Sequence, residues 1–218
     1  MVKITPLWGS EASQGSALCS LMEINGDRIL LDCGLGAGVD RQGVIEKLKS
    51  LREGSQENGE NKGLDGGLDA VVISHADMEH IGALPLLYSV LGPVPLICTL
   101  PVLKMGAMVL YDYALNSAME GSYKSAYGLD DVDGALASCI EMRYSQTIKC
   151  PSRMLAAPGT RTDICAFPSG RTVGGSMWSF KYAAGSVMYA MDVNLASSNI
   201  VNGLSLEKVP THPSILLT

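Results

Sequence analysis

A continuous apolar run at residues 68–74 leads directly into a cluster of polar residues at 75–80. A strand that is apolar at successive positions is buried on both faces, which is typical of a parallel sheet covered by helices. Ligand sites in such sheets collect beyond the carboxyl ends of the strands, because the loops there are free to carry polar side chains. The run therefore predicts an α/β fold with a candidate site at His75–His80.

The rest of the pattern places strands at both ends of the chain, with helices and strands alternating between them. Strands are predicted at 2–8, 17–24, 28–31, 93–98, 144–148, 164–168, 176–182 and 186–191, and helices at 40–51, after 81–85, at 99–119 and from Asp130 or Asp131 through Ile140. This order indicates a layered α/β sandwich. Residues 53–67 are predicted to be a surface insertion, and Met105 and Met108 are expected in the core.

The composition excludes some classes of protein. The net charge is −6, whereas a chain that mainly binds phosphates usually has a basic surface. The six cysteines form no C-x-x-C pair, and most lie in apolar stretches, which favours buried free thiols in a reducing compartment. With no signal peptide or long apolar segment, a cytosolic or nuclear location is expected. The apolar run at 213–218 suggests a fragment of a longer chain.

The cluster at 75–80 contains four side chains of types that bind divalent metals, namely His75, Asp77, Glu79 and His80. Imidazole and carboxylate suit zinc, iron and manganese. Five residues turn a helix by about 500°, so a helix would separate the two histidines, whereas a loop could bring them together. Taken alone, the cluster is ambiguous, and a polar turn whose acids are solvated explains it somewhat better than a metal site does.

Four motifs resemble those of the metallo-β-lactamase superfamily, in the same order. The stretch 72–85 is similar to the signature H-x-H-x-D-H followed by glycine, 30–34 to the first Asp motif, 168–178 to the third motif, which normally reads A-G-H, and 189–192 to the fourth, whose Asp bridges the metals. The resemblance implies a metallo-β-lactamase-type αββα sandwich, of which residues 1–218 form the first part.

Further stretches resemble the β-CASP branch of this superfamily, in particular the subunit 2 family of the cleavage and polyadenylation specificity factors. They are 81–85, 101–106, 129–133, 144–146, 174–178 and 202–203. In that family a β-CASP domain interrupts the lactamase domain. The resemblance therefore implies a β-CASP insertion after residue 218.

The chain departs from the superfamily pattern at the metal centre. His75 and His80 match the first and last His of the signature, Asp77 stands at the second His, Glu79 at the Asp and Arg171 at the third-motif His, while Asp32 and Asp192 are retained. A guanidinium is always charged and has no lone pair for a metal. We expect Arg171 to replace the metal as counter-charge, so that Arg171→Ala costs about 3–5 kcal/mol if the group is buried.

The resemblance and the departures together imply a non-catalytic structural subunit of the nuclear complex that cleaves and polyadenylates pre-mRNA. Its expected partners are the active endonuclease homologue and other cleavage and polyadenylation factors, and pre-mRNA is reached through the assembled complex. No catalytic residue, cofactor, metal or membrane contact is expected. The alternatives are a hydrolase or RNA nuclease with a single metal held by Glu79, His80 and Asp192, or the related pseudo-subunit of the Integrator complex.

Overall fold

The computed structural model describes residues 2–9, 17–36, 41–53, 67–119, 126–151, 161–210 and 212–218. Most of the predicted insertion at 53–67 thus lies outside the described residues. The elements are β1 Val2–Trp8, β2 Cys19–Ile24, β3 Asp27–Leu31, α1 Arg41–Glu53, β4 Ala70–Val72, α2 Met78–Ile81, α3 Leu84–Leu91, β5 Leu96–Thr99, α4 Leu100–Met119, α5 Leu129–Leu136, β6 Cys139–Met142, β7 Thr147–Lys149, β8 Asp163–Pro168, β9 Ser176–Tyr182, β10 Gly185–Tyr189, a 3₁₀ helix at Leu206–Lys208 and β11 Ile215–Leu217.

The strands form two mixed sheets. The first has the order β1-β2-β3-β4-β5-β6 and the second the order β11-β10-β9-β8-β7. Antiparallel pairing joins β1, β2 and β3, and parallel pairing continues from β3 through β6. Since β4 is a central parallel strand, the prediction made from the apolar run at 68–74 is confirmed.

A tight turn at Asn25 and Gly26 joins β2 to β3. Asn25 has a φ of 56° and Gly26 a φ of 91°. Two successive residues with positive φ are what a two-residue hairpin turn requires, and Asn-Gly is the preferred pair for it. This turn fixes the register in which Met22 lies opposite Ile29.

Two buried layers lie on the two faces of the first sheet, and successive residues of its central strands contribute to each in turn. Leu30 and Val71 pack with α1, α3, α4 and α5 on one face of the first sheet. Leu31 and Val72 pack with Trp178 and other residues of the second sheet on the opposite face. The predicted α/β sandwich is therefore present, with helices on one sheet and the two sheets face to face.

The structure corrects the prediction that one helix continues through Ile140. The helix α5 ends at Leu136, and Cys139 and Ile140 belong to β6, where they pair in parallel with Leu96 and Ile97. The helical spacing of the apolar residues was real, but hydrogen bonding to the sheet edge overrides local preference.

A second correction concerns α4. Its residue range was predicted well, but the side chains that face solvent were not. Met105 and Met108 are 42% and 70% exposed rather than buried. The helix packs through Val102 and Leu110, both fully buried, so the methionines lie on another face. None of the helices among the described residues has the length and apolar character needed to cross a membrane.

Candidate functional site

The site lies where strands of both sheets end. Asp32 is the first residue after β3, whereas His75 and Asp192 are the third residues after β4 and β10. The peptide nitrogen of Cys33 donates to the carbonyl of His80 at 2.7 Å, which fixes the short helix α2 against the loop after β3. A Cβ at Gly34 would lie 1.7 Å from the carbonyl oxygen of Glu79, so only glycine allows this approach.

Asp32 is fully buried, and both of its carboxylate oxygens are hydrogen-bonded. One oxygen accepts from the Ser74 peptide N–H, and the other accepts from the Ser74 and Tyr189 hydroxyls at 2.7 and 2.6 Å. Burial raises the pKa of Asp32, while the charge of His80 and the bond from Tyr189 oppose the rise. The carboxylate is therefore held by protein donors on both oxygens.

The orientation of His75 follows from these bonds. Because the Ser74 hydroxyl donates to Asp32, its oxygen accepts from His75 Nδ1, 3.0 Å away. His75 Nε2 then carries the lone pair and accepts from the hydroxyl of Ser169 at 2.9 Å. The result is a relay in which Ser169 donates to His75, His75 to Ser74 and Ser74 to Asp32.

His75 is neutral in this relay. Burial and the neighbouring charge of His80 lower its pKa to about 4. A neutral imidazole offers one lone pair, and here that lone pair is already shared with the Ser169 hydroxyl.

His80 has the opposite character. Its Nδ1 lies 2.6 Å from a carboxylate oxygen of Asp77, which also accepts from the Glu79 peptide N–H as the cap of α2. Its ring centroid is 4.9 Å from that of His75, so the two histidines converge as predicted for a strand-to-loop transition. His80 Nε2 is buried and has no hydrogen-bond partner among the described residues.

The Asp77–His80 pair makes His80 a buried cation. Burial alone would lower the pKa of His80, but the bond to Asp77 and the charge of Asp32 outweigh it and raise the pKa to about 9. For Asp77, partial burial raises the pKa, yet the bond to His80 outweighs that effect and the net shift is downward. The cation inside the site is therefore an imidazolium.

This pair predicts a pH dependence of stability. The pKa of His80 rises on folding from 6.5 to about 9, so its contribution is complete below about pH 6.5 and is lost as the pH rises through about 9. That of Asp77 falls on folding from 3.8, so its contribution is complete above about pH 4 and is lost at lower pH.

Asp77→Asn isolates the pair, because asparagine caps a helix as well as aspartate does. Asp77 is 48% exposed, so solvent weakens the attraction, and we expect a loss of about 1–2 kcal/mol between about pH 4 and 6.5. Urea unfolding of both proteins at several pH values measures it. A difference that does not shrink above about pH 9 would contradict this account of the pair.

The structure corrects the role expected of Arg171. Its side chain is 57% exposed, and its Nε lies 3.3 Å from Asp192, which is 41% exposed. Glu79 is also exposed, and Asp77 is paired with His80. Arg171 is therefore not the buried counter-charge of three carboxylates, and the condition for a loss of about 3–5 kcal/mol on Arg171→Ala is not met.

The donor set does not fit the metal centre that the superfamily motifs imply. The lone pair of His75 is shared with the Ser169 hydroxyl, and a cation occupies the third-motif position. Among the residues that the structure describes, no group of three or more His, Cys, Asp or Glu side chains is arranged to hold a metal ion. His80 Nε2 has no hydrogen-bond partner in the described part of the chain, but in the imidazolium it carries a proton and has no lone pair for a metal.

Sequence reasoning missed three residues that complete the network, namely Ser74, Ser169 and Tyr189. Ser169 had a detectable signal, since it stands where the third motif has Ala and adds the hydroxyl that reaches His75. Tyr189 had none, because it lies 157 residues from Asp32 in the sequence.

Residues 21–217 match the metallo-beta-lactamase superfamily domain. The chain belongs to the metallo-β-lactamase superfamily. A solved structure of a Cronobacter sakazakii metallo-β-lactamase, an S60 mutant of its HARLDQ motif, superposes with a TM-score of 0.51 at 17% identity, over 86% of this chain and 60% of that one. This likeness supports the fold.

The curated relatives of this chain include subunit 2 of the cleavage and polyadenylation specificity factor. The Drosophila melanogaster protein, named as probable, is 31% identical over 211 residues, covering 96% of this chain and 25% of that protein. The Oryza sativa subsp. japonica protein is 31% identical over 218 residues, covering 100% of this chain and 26% of that protein. The chain thus spans about a quarter of the length of these relatives.

Proposed function

We propose that this chain is the first part of the metallo-β-lactamase domain of a non-catalytic subunit of the nuclear machinery that cleaves and polyadenylates pre-mRNA. It would act as a structural partner of an active endonuclease homologue and of other cleavage and polyadenylation factors. The similarity to subunit 2 of the cleavage and polyadenylation specificity factor supports the process. The geometry of the site supports the absence of catalysis.

The observation that carries the proposal is the bond from the Ser169 hydroxyl to His75 Nε2 at 2.9 Å. A histidine binds a metal through the lone pair of a neutral ring nitrogen. In His75 one nitrogen donates to Ser74 and the other accepts from Ser169. The side chain that matches the first histidine of the signature is therefore a link in a hydrogen-bond network.

The charges of the site favour the same conclusion. A two-metal hydrolase uses its metal ions to activate water and to stabilise the attacking and leaving oxygens. Here the fixed cations are His80, next to Asp77, and Arg171, next to Asp192. Each is paired with its own carboxylate, and neither an imidazolium nor a guanidinium is a Lewis acid that can activate water as a metal ion does.

The net charge of −6 bears on how RNA is reached. Phosphate neutralisation by Lys and Arg provides most of the non-specific affinity for nucleic acids. A chain with an excess of acidic residues is poorly suited to supply that term alone. We therefore propose that pre-mRNA is contacted through the assembled complex.

The open Nε2 of His80 favours the second candidate, a hydrolase with a single metal. That site would use His80 with Asp192 and Glu79, whose side chains are exposed. A neutral His80 could keep its Nδ1–H bond to Asp77 while Nε2 binds the metal. However, His80 would have to lose the proton that its raised pKa of about 9 retains, and Asp192 would have to leave Arg171. The non-catalytic function is therefore the better supported of the two.

Metal content and phosphodiesterase activity of the full-length protein distinguish these candidates. We expect less than stoichiometric zinc after dialysis, and hydrolysis of an RNA substrate equal to that of a buffer control. Asp192→Ala should leave both values unchanged, since the Asp192 carboxylate is paired with Arg171. Stoichiometric zinc with activity abolished by Asp192→Ala would establish the single-metal enzyme instead.

Association decides between related complexes. The tagged full-length protein should co-purify from nuclear extract with cleavage and polyadenylation factors. Recovery of Integrator subunits in their place would assign the chain to that complex. Loss of both sets at moderate salt, with the protein still folded, would contradict a structural role in either.

A further inference from the structure

We propose that Cys98 and Cys139 form a reversible disulfide, which makes the β6 end of the first sheet a site of oxidative modification. The two thiols lie on neighbouring strands, and their sulfur atoms are 3.5 Å apart. Cys98 is fully buried in β5, and Cys139 is the half-buried first residue of β6. The proposal is independent of the function assigned to the metal-site positions.

The sheet register places both thiols on one face. Leu96 lies opposite Cys139 in the parallel pair of β5 and β6. Side chains two residues apart on a strand point to the same side, so Cys98 shares that face with Cys139. Both pack in the apolar layer between the sheet and its helices.

Its solvent exposure makes Cys139 the thiol that reacts first. All six cysteines lie among the described residues, and five of them are buried, whereas Cys139 is only half-buried. In the order of the sheet, β6 is an end strand paired with β5 alone. An oxidant in solution therefore meets Cys139 before any other thiol.

The surroundings of Cys139 favour its thiolate. A hydrogen bond from the Cys98 thiol lowers the pKa of Cys139, and Lys104 adds a smaller effect in the same direction, although burial and Glu141 oppose them. The same contact and burial raise the pKa of Cys98. Cys139 is thus the nucleophile and Cys98 the resolving thiol.

The reaction can be written with a small disulfide, such as oxidised glutathione, as the oxidant. The Cys139 thiolate attacks one sulfur of that disulfide, forms a mixed disulfide and expels one glutathione thiolate. Cys98 then loses its proton to solvent and attacks the Cys139 sulfur, which expels the second glutathione. Two protein thiols are oxidised, and one glutathione disulfide is reduced to two thiols.

The geometry implies a strained and readily reduced bond. Residues offset by two positions on neighbouring strands have Cα atoms about 7–8 Å apart, whereas a disulfide spans about 4.4–6.8 Å. Closure must therefore draw the start of β6 toward Cys98 by about 1 Å. Strained disulfides are the labile ones, as a reversible modification in a reducing compartment requires.

Movement of β6 would act on a neighbouring groove. The last two residues of β6 and the four residues that follow it line a groove of about 700 Å³ together with Leu100. Among them Tyr144 donates its hydroxyl to the carbonyl of Gly175 at 3.0 Å, and Gly175 lies in the loop that carries Arg171. The hydrogen bond from Tyr144 to Gly175 would thus connect the redox state of Cys98 and Cys139 to the surface beside the candidate site.

The test is disulfide mapping of the folded full-length protein after incubation with oxidised glutathione. Free thiols are alkylated, the protein is digested without reduction, and the peptides are identified by mass spectrometry. We expect a cross-link between the Cys98 and Cys139 peptides, with two hydrogens lost, that disappears on reduction. A stable glutathione adduct on Cys139 without the cross-link, or a preferred bond between other cysteines, overturns the proposal.

Cysteine-to-serine variants show which thiol acts at each step of the reaction. Cys98→Ser should trap the mixed disulfide on Cys139, and Cys139→Ser should abolish both products. Cys165→Ser is the matched control, because Cys165 is buried in the other sheet, and it should leave the cross-link yield unchanged. If a variant does not fold, disulfide mapping of the wild-type protein is repeated in urea. The preference for the Cys98–Cys139 bond must disappear when the protein unfolds. A preference that persists in urea would refute a site that depends on the fold.

Discussion

Replacing Asp32 with alanine is expected to lower the free energy of unfolding by about 3–5 kcal/mol. Three donors from Ser74 and Tyr189 would be left unpaired at a fully buried position, and each buried unpaired group costs about 1–3 kcal/mol. The buried imidazolium of His80 would also lose a nearby negative charge. Equilibrium unfolding in urea, read from the midpoint at constant slope, measures the change.

Asp192→Ala is the matched control for this measurement. Asp32 and Asp192 both have a left-handed backbone, with φ of 54° and 49°, so alanine introduces comparable backbone strain at each position. Asp192 is 41% exposed and pairs with an exposed arginine, a contact worth about 0–1 kcal/mol. Equal losses for the two variants would show that the buried network around Asp32 does not stabilise the domain.

Arg171→Ala belongs to the same series. With its guanidinium 57% exposed, the expected loss is below about 1 kcal/mol, and the sequence-based value of about 3–5 kcal/mol no longer applies. This series separates the two cations of the site. The imidazolium of His80 is inside, among buried groups, while the guanidinium of Arg171 is at the surface.

The fold could be predicted from the sequence because its signals are local. The apolar run at 68–74 identifies a strand buried on both faces, and Asn25-Gly26 identifies a hairpin turn. The failures came where distant residues decide the outcome. The end of α5 depends on pairing of β6 with β5, which no helical spacing around Cys139 could reveal.

The site was predictable in position but not in chemistry. Motif order placed His75, His80 and Asp32 together, yet two partners of these residues, Ser169 and Tyr189, come from distant parts of the chain. Ser169 is 94 residues from His75 in the sequence. The exposure of Arg171 depends on the loops around it, so its charge alone could not show whether it balances the site or lies at its rim.

Conversion of the site toward zinc binding tests which departures block the metal. Arg171→His alone should not confer tight binding, because Asp77 remains at the second histidine position and Ser169 still occupies His75 Nε2. Asp77→His with Arg171→His supplies two imidazoles beside His75, and zinc is well held by three histidines. The remaining obstacle is then the Ser169 hydroxyl.

Adding Ser169→Ala to that pair of substitutions is expected to give the tightest binding, with a dissociation constant below about 1 µM, or about −8 kcal/mol. In the triple variant, zinc does not have to displace the hydrogen bond between Ser169 and His75 Nε2, which is worth about 1 kcal/mol. This variant should therefore bind zinc roughly five- to tenfold more tightly than the variant that keeps Ser169. Competition with a chromogenic chelator measures both constants, and circular dichroism verifies folding. Micromolar zinc binding by Arg171→His alone, or equal affinity with and without the Ser169 hydroxyl, would show that the hydrogen bond to His75 is not what excludes the metal.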